Sequence, residues 1–262
     1  MRSAYVTYLG SRDFLPGVLV LKESLRQRNC NRALVVLVSA TIVNNTIIER
    51  LDNCGCKIRI VQDIQNPMIA NDTVRNYHLT YTKLNIFGLA EFDKIVYLDA
   101  DMLVVDNIDE LFEKPHMSAV VAGGLLPENS TWNELNAGLM VVCPDSRLFQ
   151  LMSEAIHTTP SKDKSDQGFL HSFFHSWSLQ TELRLDHKFN TPAVYLDKYT
   201  SHFDVEFTCD ATAFKTRNLA VIHYWGPLKP WNLNPTLMND IQDSKYKDSI
   251  RLWWDHYRRI GQ

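Results

Sequence analysis

Short apolar segments alternate with amphipathic segments along the first hundred residues. The continuous apolar run ALVVLV at 33–38 is typical of a central strand that is covered on both faces. The segment LPGVLVLKESLRQR carries apolar residues at helical spacing and ends in polar residues. Because strands alternating with helices form βαβ units, we predict an α/β fold, with a Rossmann-like, mostly parallel central sheet flanked by helices. The predicted strands are 4–9, 33–38, 57–61 and 94–98, and the predicted helices are 15–28, 46–51 and 80–91.

The alternation is less regular beyond residue 110. Apolar stretches predict strands at 118–122, 138–142 and 218–224, and helical patterns cover 145–157, 166–175 and 245–260. The last of these helices carries an aromatic stripe, which is typical of a face that packs into the core. The stripe consists of Ile250, Trp253, Trp254 and Tyr257.

Composition and charge narrow the class of protein. The chain of 262 residues is 45% hydrophobic and 22% charged, as expected of one soluble globular domain with a sizeable core. Its formal net charge of −3 argues against a nucleic-acid binder that depends on broad phosphate neutralisation. No apolar run approaches the ~18 residues of a membrane span, and no signal-peptide pattern opens the chain. We therefore expect a soluble, cytoplasmic protein.

The cysteines do not form a metal-binding pattern. There are five of them, irregularly spaced, and Cys54-Gly55-Cys56 is too tight for the usual zinc knuckle. Reduced structural thiols are the expected state.

Two carboxylates follow a buried strand in the stretch KIVYLDADML, residues 94–103. Asp99 and Asp101 stand at the carboxyl end of the predicted strand, where open α/β sheets bind their ligands. In an extended chain, residues i and i+2 project to the same side, so both carboxylates can face one ion. A divalent cation would relieve their repulsion, and Mg²⁺ and Mn²⁺ prefer such oxygen ligands.

Two classes of enzyme place such an Asp pair after a buried strand. In haloacid-dehalogenase-like phosphatases the first aspartate, here Asp99, is a nucleophile, but Leu103 stands where Thr or Val is expected and three predicted strands precede the motif. In nucleotide-sugar glycosyltransferases the pair, known as the DxD motif, holds a metal ion against the diphosphate leaving group.

A second segment, HYWGPLKPW at 223–231, favours the glycosyltransferase class. His223 could complete a metal site, and a nitrogen ligand shifts the preference from Mg²⁺ toward Mn²⁺. Gly226 would let the backbone approach a phosphate closely, and Lys229 would neutralise a diphosphate.

These segments, with several others, resemble glycosyltransferase family 8, and most closely its glycogenin-like members. The resemblance covers about residues 1–235, and its most specific stretch is DKIVYLDADMLVVDNIDELF at 93–112. The supporting motifs follow in the order of the family: VTYLGSRDFLPGVLVLKESL at 6–25, TYTKLNIFGL at 80–89, NAGLMV at 136–141, DQGFL at 166–170 and HYWGPLKPW. The resemblance implies a single GT-A glycosyltransferase domain over 1–262. It would comprise a nucleotide-binding half (1–112), an acceptor and metal-completing half (113–235) and a C-terminal helix (236–262).

The resemblance also implies a role for each matching residue. The metal ligands would be Asp99, Asp101 and His223, with Ala100 against the nucleotide. The uracil and ribose would lie against Thr7, Tyr8, Gly10, Ser11 and Phe14, and Arg75 and Lys83 would contact the donor. The donor sugar would lie near Asn136, Ala137, Asp166 and Gln167, with Ala137 where the family has Ser, and Gly226 and Lys229 would hold the β-phosphate. The predicted catalytic residues are Asp166, Gln167 and Lys229, although Asp166 alone could equally be the N-cap of a helix.

The implied reaction is Mn²⁺-dependent (or Mg²⁺-dependent), retaining transfer of a hexose from a UDP-sugar to a carbohydrate, lipid or protein acceptor. UDP-glucose is the first expected donor, followed by UDP-galactose and UDP-N-acetylglucosamine. Within the class, a self-glucosylating primer would use Tyr195 or Tyr199 as its acceptor. Outside it, the phosphatase and an inactive sugar-nucleotide binder stay open, and the resemblance also leaves a homodimer open.

Overall fold

The first hundred residues form the predicted alternation of strands and helices. The computed structural model describes residues 1–67, 76–124, 126–209, 214–233 and 235–260. Each strand and α-helix found in the first hundred residues begins and ends within two residues of its predicted bounds. The elements are β1 (Ser3–Leu9), α1 (Leu15–Gln27), β2 (Leu34–Ser39), α2 (Asn45–Asn53), β3 (Lys57–Val61) and β4 (Lys94–Leu98).

The second part of the chain contains shorter elements, several of which the sequence pattern missed. The predicted elements are found as β6 (Ala119–Val121), β7 (Leu135–Val142), α3 (Ser146–Ala155), α4 (Asp166–Phe173), β11 (Val221–His223) and α7 (Ser244–Arg258). The missed elements are β5 (Met102–Val104), β8 (Thr191–Pro192), α5 (Leu196–His202), β9 (Glu206–Cys209), β10 (Phe214–Arg217) and α6 (Pro235–Asp240). Segments this short show no readable period. Within the described ranges, no helix is both long and apolar enough to cross a bilayer.

A six-stranded sheet forms the centre of the fold, with the strand order β3-β2-β1-β4-β7-β6. β1 pairs in parallel with β2 and β4, and β2 pairs in parallel with β3. β7 runs antiparallel to both of its neighbours, β4 and β6. All residues of β2 are buried, as expected of a strand that is covered on both faces. The sheet is therefore mixed, and its larger, parallel part confirms the predicted fold class.

A smaller three-stranded sheet, of order β5-β11-β8, begins just after the carboxyl end of β4. β11 runs antiparallel to β5, with His223 opposite Met102, and parallel to β8. Because only residues 99–101 separate β4 from β5, the chain leaves the central sheet and enters the smaller one at the Asp-Ala-Asp segment. Residues of three distant parts of the chain are thereby brought to the carboxyl end of β4, inside the central sheet.

The helix predicted at 80–91 is instead a 3₁₀-helix, Asn76–Gly88. Burial along residues 81–88 follows no single α-helical face, because most of these residues are buried: Tyr81, Thr82, Lys83, Leu84, Ile86 and Phe87. Asn85 donates a side-chain hydrogen bond to the carbonyl oxygen of Thr82 (2.8 Å), and such local bonds compete with the α-helical pattern.

The C-terminal helix α7 packs its stripe into the core, as predicted. Ile250 and Trp253 are fully buried, and the ring of Trp253 stacks on that of Tyr257 with centroids 5.5 Å apart. The indole Nε1 of Trp254 donates to the carbonyl oxygen of Pro230 (3.1 Å). α7 therefore also supports the segment that contains Lys229.

All five cysteines lie in the described part of the chain, and no two of them form a disulfide there. Burial raises the pKa of the Cys56 thiol to about 12, so this group stays protonated at neutral pH.

Candidate active site

The two aspartates of the DxD motif lie in a turn between β4 and β5. The backbone N–H of Asp99 donates to the carbonyl oxygen of Gly138 on β7 (2.8 Å), and that of Met102 donates to the carbonyl oxygen of Asp99 (3.2 Å). The expectation of an extended backbone was therefore wrong, because the chain must turn here to change sheets. The turn still directs both carboxylates toward one point.

His223, the last residue of β11, completes a cluster with these aspartates. Its Nε2 lies 3.3 Å from Oδ1 of Asp101 and 3.9 Å from Oδ2 of Asp99. One ligand atom from each of the three residues lies within 4.8 Å of the other two, and we call the group the Asp-Asp-His cluster. Two carboxylate oxygens and one imidazole nitrogen suit Mn²⁺ and can also hold Mg²⁺, so the residues present fit a divalent cation.

Lys229 is buried against this cluster. Its Nζ donates to Oδ2 of Asp101 and to the carbonyl oxygen of Tyr224, the latter at 2.8 Å. Burial alone would raise the pKa of Asp101, but the interactions with His223 and Lys229 outweigh it and lower the pKa. Asp101 is therefore ionised at neutral pH, as a metal ligand must be.

Lys83 links the cluster to α4. Its Nζ lies 3.0 Å from Oδ1 of Asp99 and 3.2 Å from Oδ2 of Asp166. The hydroxyl of Tyr97 donates to the same oxygen of Asp99 (2.7 Å). Burial would lower the pKa of Lys83, but Asp166 and Asp99 together raise it, so the ammonium keeps its charge.

Asp166 is the first residue of α4 and not its N-cap. The cap is Ser165, whose hydroxyl accepts from the N–H of Gly168 (3.2 Å). The carboxylate of Asp166 is thus left to face Lys83. Burial raises its pKa; Lys83 opposes this effect and Asp99 adds to it.

Two of the side chains predicted to meet the donor sugar, Asn136 and Gln167, accept hydrogen bonds from the backbone of β7. Oε1 of Gln167 accepts from the backbone N–H of Ala137 (2.9 Å). Oδ1 of Asn136 accepts from the N–H of Gly138 and from Nδ2 of Asn190, both at 2.8 Å. The side chain of Ala137 is buried, so only the backbone of this residue takes part in the network. The structure therefore brings Asn136 and Gln167 together, one on β7 and one on α4.

The end of β1 carries hydroxyl groups without partners. Among the described residues, Oγ1 of Thr7 and the hydroxyl of Tyr8 are buried and make no hydrogen bond. A water or a ligand would complete the bonding of these two groups, as it would for the other buried groups of this kind in the described part of the chain. A Cβ atom at Gly10 would lie 2.6 Å from the phenol ring of Tyr8, so a side chain at this position would require that ring to move.

The turn after β1 contacts the segment of Lys229. The carbonyl oxygen of Ser11 accepts from the N–H of Phe14 (3.1 Å), and the Phe14 ring packs edge-on against Trp231 with centroids 5.4 Å apart. The Nζ of Lys229 lies 5.5 Å from the centre of the Phe14 ring. Gly226 has a φ of 93°, a left-handed conformation that favours glycine. Of the predicted residues, Arg75 lies outside the described part of the chain.

Several contacts of the site escaped the sequence analysis. Tyr97 was readable in principle, because it stands two residues before Asp99 on the same side of β4. A Cβ atom at Gly17 would clash with the carbonyl oxygen of Ala100, so α1 approaches the DxD turn closely only because this residue is glycine. Asn190 is in no recognisable motif, and only the pairing of β8 with β11 reveals its place.

Gly138→Ala is expected to destabilise the protein by about 1–3 kcal/mol, the usual cost of an extra methyl group in a packed interior. The new Cβ would lie 2.7 Å from Cε1 of His223 and 2.9 Å from Cε of Met102. Thermal and chemical unfolding would measure the loss. If the strain acts against the imidazole, the same substitution in a His223→Ala background should cost clearly less. An equal cost in both backgrounds would contradict this account.

Comparison with known proteins identifies the family. The sequence profile of the family described as Glycosyl transferase family 8 matches residues 5–234. The UDP-glucuronate:xylan alpha-glucuronosyltransferase 1 of Arabidopsis thaliana is 33% identical over 238 residues, which cover 88% of this chain and 32% of the relative. The glycogenin of Neurospora crassa is 30% identical over 262 residues, covering 97% of this chain and 35% of that protein. Across the first three curated relatives, the matched part is only 32% to 43% of their length.

Solved structures agree on the fold. The galactosyltransferase LgtC, in complex with donor and acceptor sugar analogues, superposes with a TM-score of 0.64 at 18% identity, covering 99% of this chain and 96% of that one. The glycosyltransferase GlyE of Streptococcus pneumoniae, in its apo form, gives a TM-score of 0.61 at 15% identity, covering 98% of this chain and 60% of that one. The chain therefore belongs to glycosyltransferase family 8 and has the GT-A fold of sugar-transferring enzymes.

Proposed function

We propose that this chain catalyses metal-dependent, retaining transfer of a hexose from a UDP-sugar to a carbohydrate, lipid or protein acceptor. The observation that carries the proposal is the convergence of the Asp-Asp-His cluster with Lys229, which is hydrogen-bonded to Asp101. A divalent cation and a lysine are both suited to a diphosphate that leaves with negative charge.

Asp99, Asp101 and His223 would hold the cation, with Mn²⁺ preferred because of the imidazole nitrogen. When bound, the ion would neutralise charge on the diphosphate of the donor. The ionised state of Asp101 supports this role, since its pKa is lowered by its contacts with His223 and Lys229.

Lys229 would stabilise the departing UDP directly. Its ammonium group is held in place by Asp101 and by the carbonyl oxygen of Tyr224, so little reorganisation would be needed during the reaction. Gly226 has a left-handed backbone and no side chain, so a phosphate oxygen could approach the backbone closely at this position. At the other end of the donor, the unpartnered hydroxyls of Thr7 and Tyr8 would meet the uridine.

The donor sugar would lie between β7 and the start of α4. Because Oε1 of Gln167 already accepts from Ala137, this amide is a poor nucleophile and its Nε2 is left for the sugar. Asp166 is held by Lys83 and would orient the hydroxyls of the sugar. We therefore favour attack by the acceptor hydroxyl on the face from which UDP leaves. The bond from C1 to the phosphate oxygen breaks, the bond from the acceptor oxygen to C1 forms, and the hydroxyl proton passes to the phosphate.

Glucose is the donor sugar that we propose first. The buried lysines Lys83 and Lys229 are already paired with carboxylates, so a neutral sugar requires no further counter-charge from them. Galactose and N-acetylglucosamine are neutral alternatives. The glucuronosyltransferase relatives make UDP-glucuronate a necessary member of any donor panel.

A self-glucosylating primer is the alternative within this class, and Tyr195 is its better candidate. Tyr199 is fully buried, and its hydroxyl donates to the carbonyl oxygen of Gly124 (2.7 Å), so no donor could reach it without rearrangement. Tyr195 is half-buried, with its ring 6.0 Å from that of Trp225. The family match favours a glycosyltransferase over a phosphatase. An inactive sugar-nucleotide binder is one of the outcomes that the experiment below distinguishes. A homodimer and a cytoplasmic location stay predictions.

The test is UDP release from a panel of UDP-glucose, UDP-galactose, UDP-N-acetylglucosamine and UDP-glucuronate, without acceptor and with Mn²⁺. We expect slow hydrolysis of one neutral donor, loss of this activity with a chelator, and recovery when Mn²⁺ is restored. Release of inorganic phosphate in place of UDP, or UDP-sugar binding without turnover, would contradict the proposal. Intact-mass measurement in the same samples, with Tyr195→Phe as the comparison, would detect self-glucosylation.

A further inference from the structure

A chain of hydrogen bonds leads from the backbone of β7 to the imidazole of His223. The N–H of Gly138 donates to Oδ1 of Asn136 (2.8 Å), and Nδ2 of Asn190 donates to the same oxygen (2.8 Å). Oδ1 of Asn190 then lies 2.9 Å from Nδ1 of His223. Asn190 and His223 are only 4% and 6% exposed, so water has little access to these groups.

The first member of this chain determines the orientation of the others. A backbone N–H can only donate, so the atom of Asn136 that meets Gly138 must be its oxygen. That oxygen cannot donate to Asn190, so Asn190 must present its NH₂ group there and its own oxygen to His223. The Nδ1 of His223 must therefore carry a proton. When a cation replaces any proton on Nε2, the lone pair of this nitrogen, which faces Asp101, is presented to the ion.

We propose that Asn190 is a positioning residue, which fixes the tautomer and ring orientation of His223 so that Nε2 is presented to the cation. The Nδ2 group of Asn190 holds Oδ1 of Asn136. This leaves Nδ2 of Asn136 to contact the donor sugar. One buried amide thus orients both the metal-ligating side and the sugar-contacting side of the cleft. This inference rests on the proposed function only for the identity of the cation and the sugar, because the tautomer follows from the hydrogen bonds alone.

Two substitutions separate the two ends of Asn190. Asn190→Leu has a similar size but can accept and donate nothing, so we expect Mn²⁺ to bind about 10- to 100-fold more weakly, as for other partners of metal-ligating histidines. Asn190→Asp still accepts from Nδ1 of His223 but cannot donate to Asn136. We expect it to keep Mn²⁺ affinity close to that of the wild type while the KM for the UDP-sugar rises about tenfold, the loss of one hydrogen bond from an oriented group. A merely structural role would change both quantities together.

The tautomer itself can be observed without metal or donor. In ¹⁵N-histidine-labelled protein at about pH 8, above the ordinary imidazole pKa, long-range ¹H–¹⁵N NMR spectra distinguish a protonated Nδ1 from a protonated Nε2. The signal of His223 would be assigned with His223→Gln. We expect the proton on Nδ1 in the wild type and a mixture of tautomers in Asn190→Leu. Free Mn²⁺ measured by electron paramagnetic resonance would give the affinities, with Asn53→Leu, on the exposed end of α2, as the control.

The outcomes are separable. A wild-type Nδ1 without a proton would overturn the inference, whatever the activity of the enzyme. So would a loss of Mn²⁺ affinity in Asn190→Asp as large as that in Asn190→Leu. If Asn190→Leu does not fold, the isosteric Asn190→Asp and the wild-type spectrum still decide the question. A wild type that has the Nδ1 proton but binds no Mn²⁺ would uphold the tautomer and contradict the metal-dependent function.

Discussion

Asp101→Asn is expected to lower the rate of UDP release by at least about 10³-fold, or about 4 kcal/mol in the activation free energy. The carboxamide keeps the size of the side chain but removes the charge that lies between His223 and Lys229. A neutral oxygen is a weaker ligand for a divalent cation. It also leaves the buried ammonium of Lys229 without its carboxylate partner. The cleft would then lose a metal ligand and keep an unbalanced positive charge.

Steady-state UDP release and Mn²⁺ binding would measure this effect on the same preparation. Asp52→Asn, on the exposed face of α2, removes the same charge from the surface and should retain the wild-type rate. Thermal unfolding of both variants would separate loss of chemistry from loss of fold. Retention of more than about a tenth of the activity by folded Asp101→Asn would mean that Asp101 is not a required ligand.

The parallel part of the central sheet could be predicted because β1, β2 and β4 are apolar runs of seven, six and five residues. The smaller sheet could not, since β5 and β11 have only three residues each and β8 has two. β11 pairs with β5 through Ile222 and Leu103 and with β8 through Ile222 and Thr191, and no local pattern reports contacts between such distant parts of the chain. The 3₁₀-helix at Asn76–Gly88 was missed for a different reason, because its composition is compatible with several helical forms.

The chemical groups of the site could be found from sequence more easily than their supports. Asp99, Asp101, His223 and Lys229 stand out because charged residues next to buried strands are costly and need a reason. Asn190, Gly17 and Gly138 carry no charge, and they act through contacts that exist only after folding. Asp166 was predicted from sequence, but its contact with Lys83 depends on Ser165 taking the role of N-cap and so is known only after folding. Sequence therefore identifies what can react, whereas the folded structure is needed to show how it is held.

Lys229→Met is expected to lower kcat by about 10²–10³-fold, the usual cost of removing one positioned group that stabilises developing charge. Methionine keeps much of the apolar stem but provides no ammonium for the departing UDP. Because Lys229 also balances Asp101, the variant should bind Mn²⁺ at least as tightly as the wild type. The loss would then lie in the rate of the chemical step and not in metal occupancy, which distinguishes this variant from Asp101→Asn.

Lys229→Arg is the matched comparison, because it keeps the charge and changes the shape. The ammonium lies between Asp101 and the carbonyl oxygen of Tyr224, with the Phe14 ring 5.5 Å away, and a planar guanidinium is too broad for this position. We therefore expect Lys229→Arg to recover no more than about a tenth of the wild-type kcat, although its net charge is unchanged. Full recovery would show that Lys229 acts through charge alone. Single-turnover measurements at saturating UDP-sugar would make the decision, since they report the chemical step without product release. A defect confined to KM would instead place Lys229 in the binding of the donor.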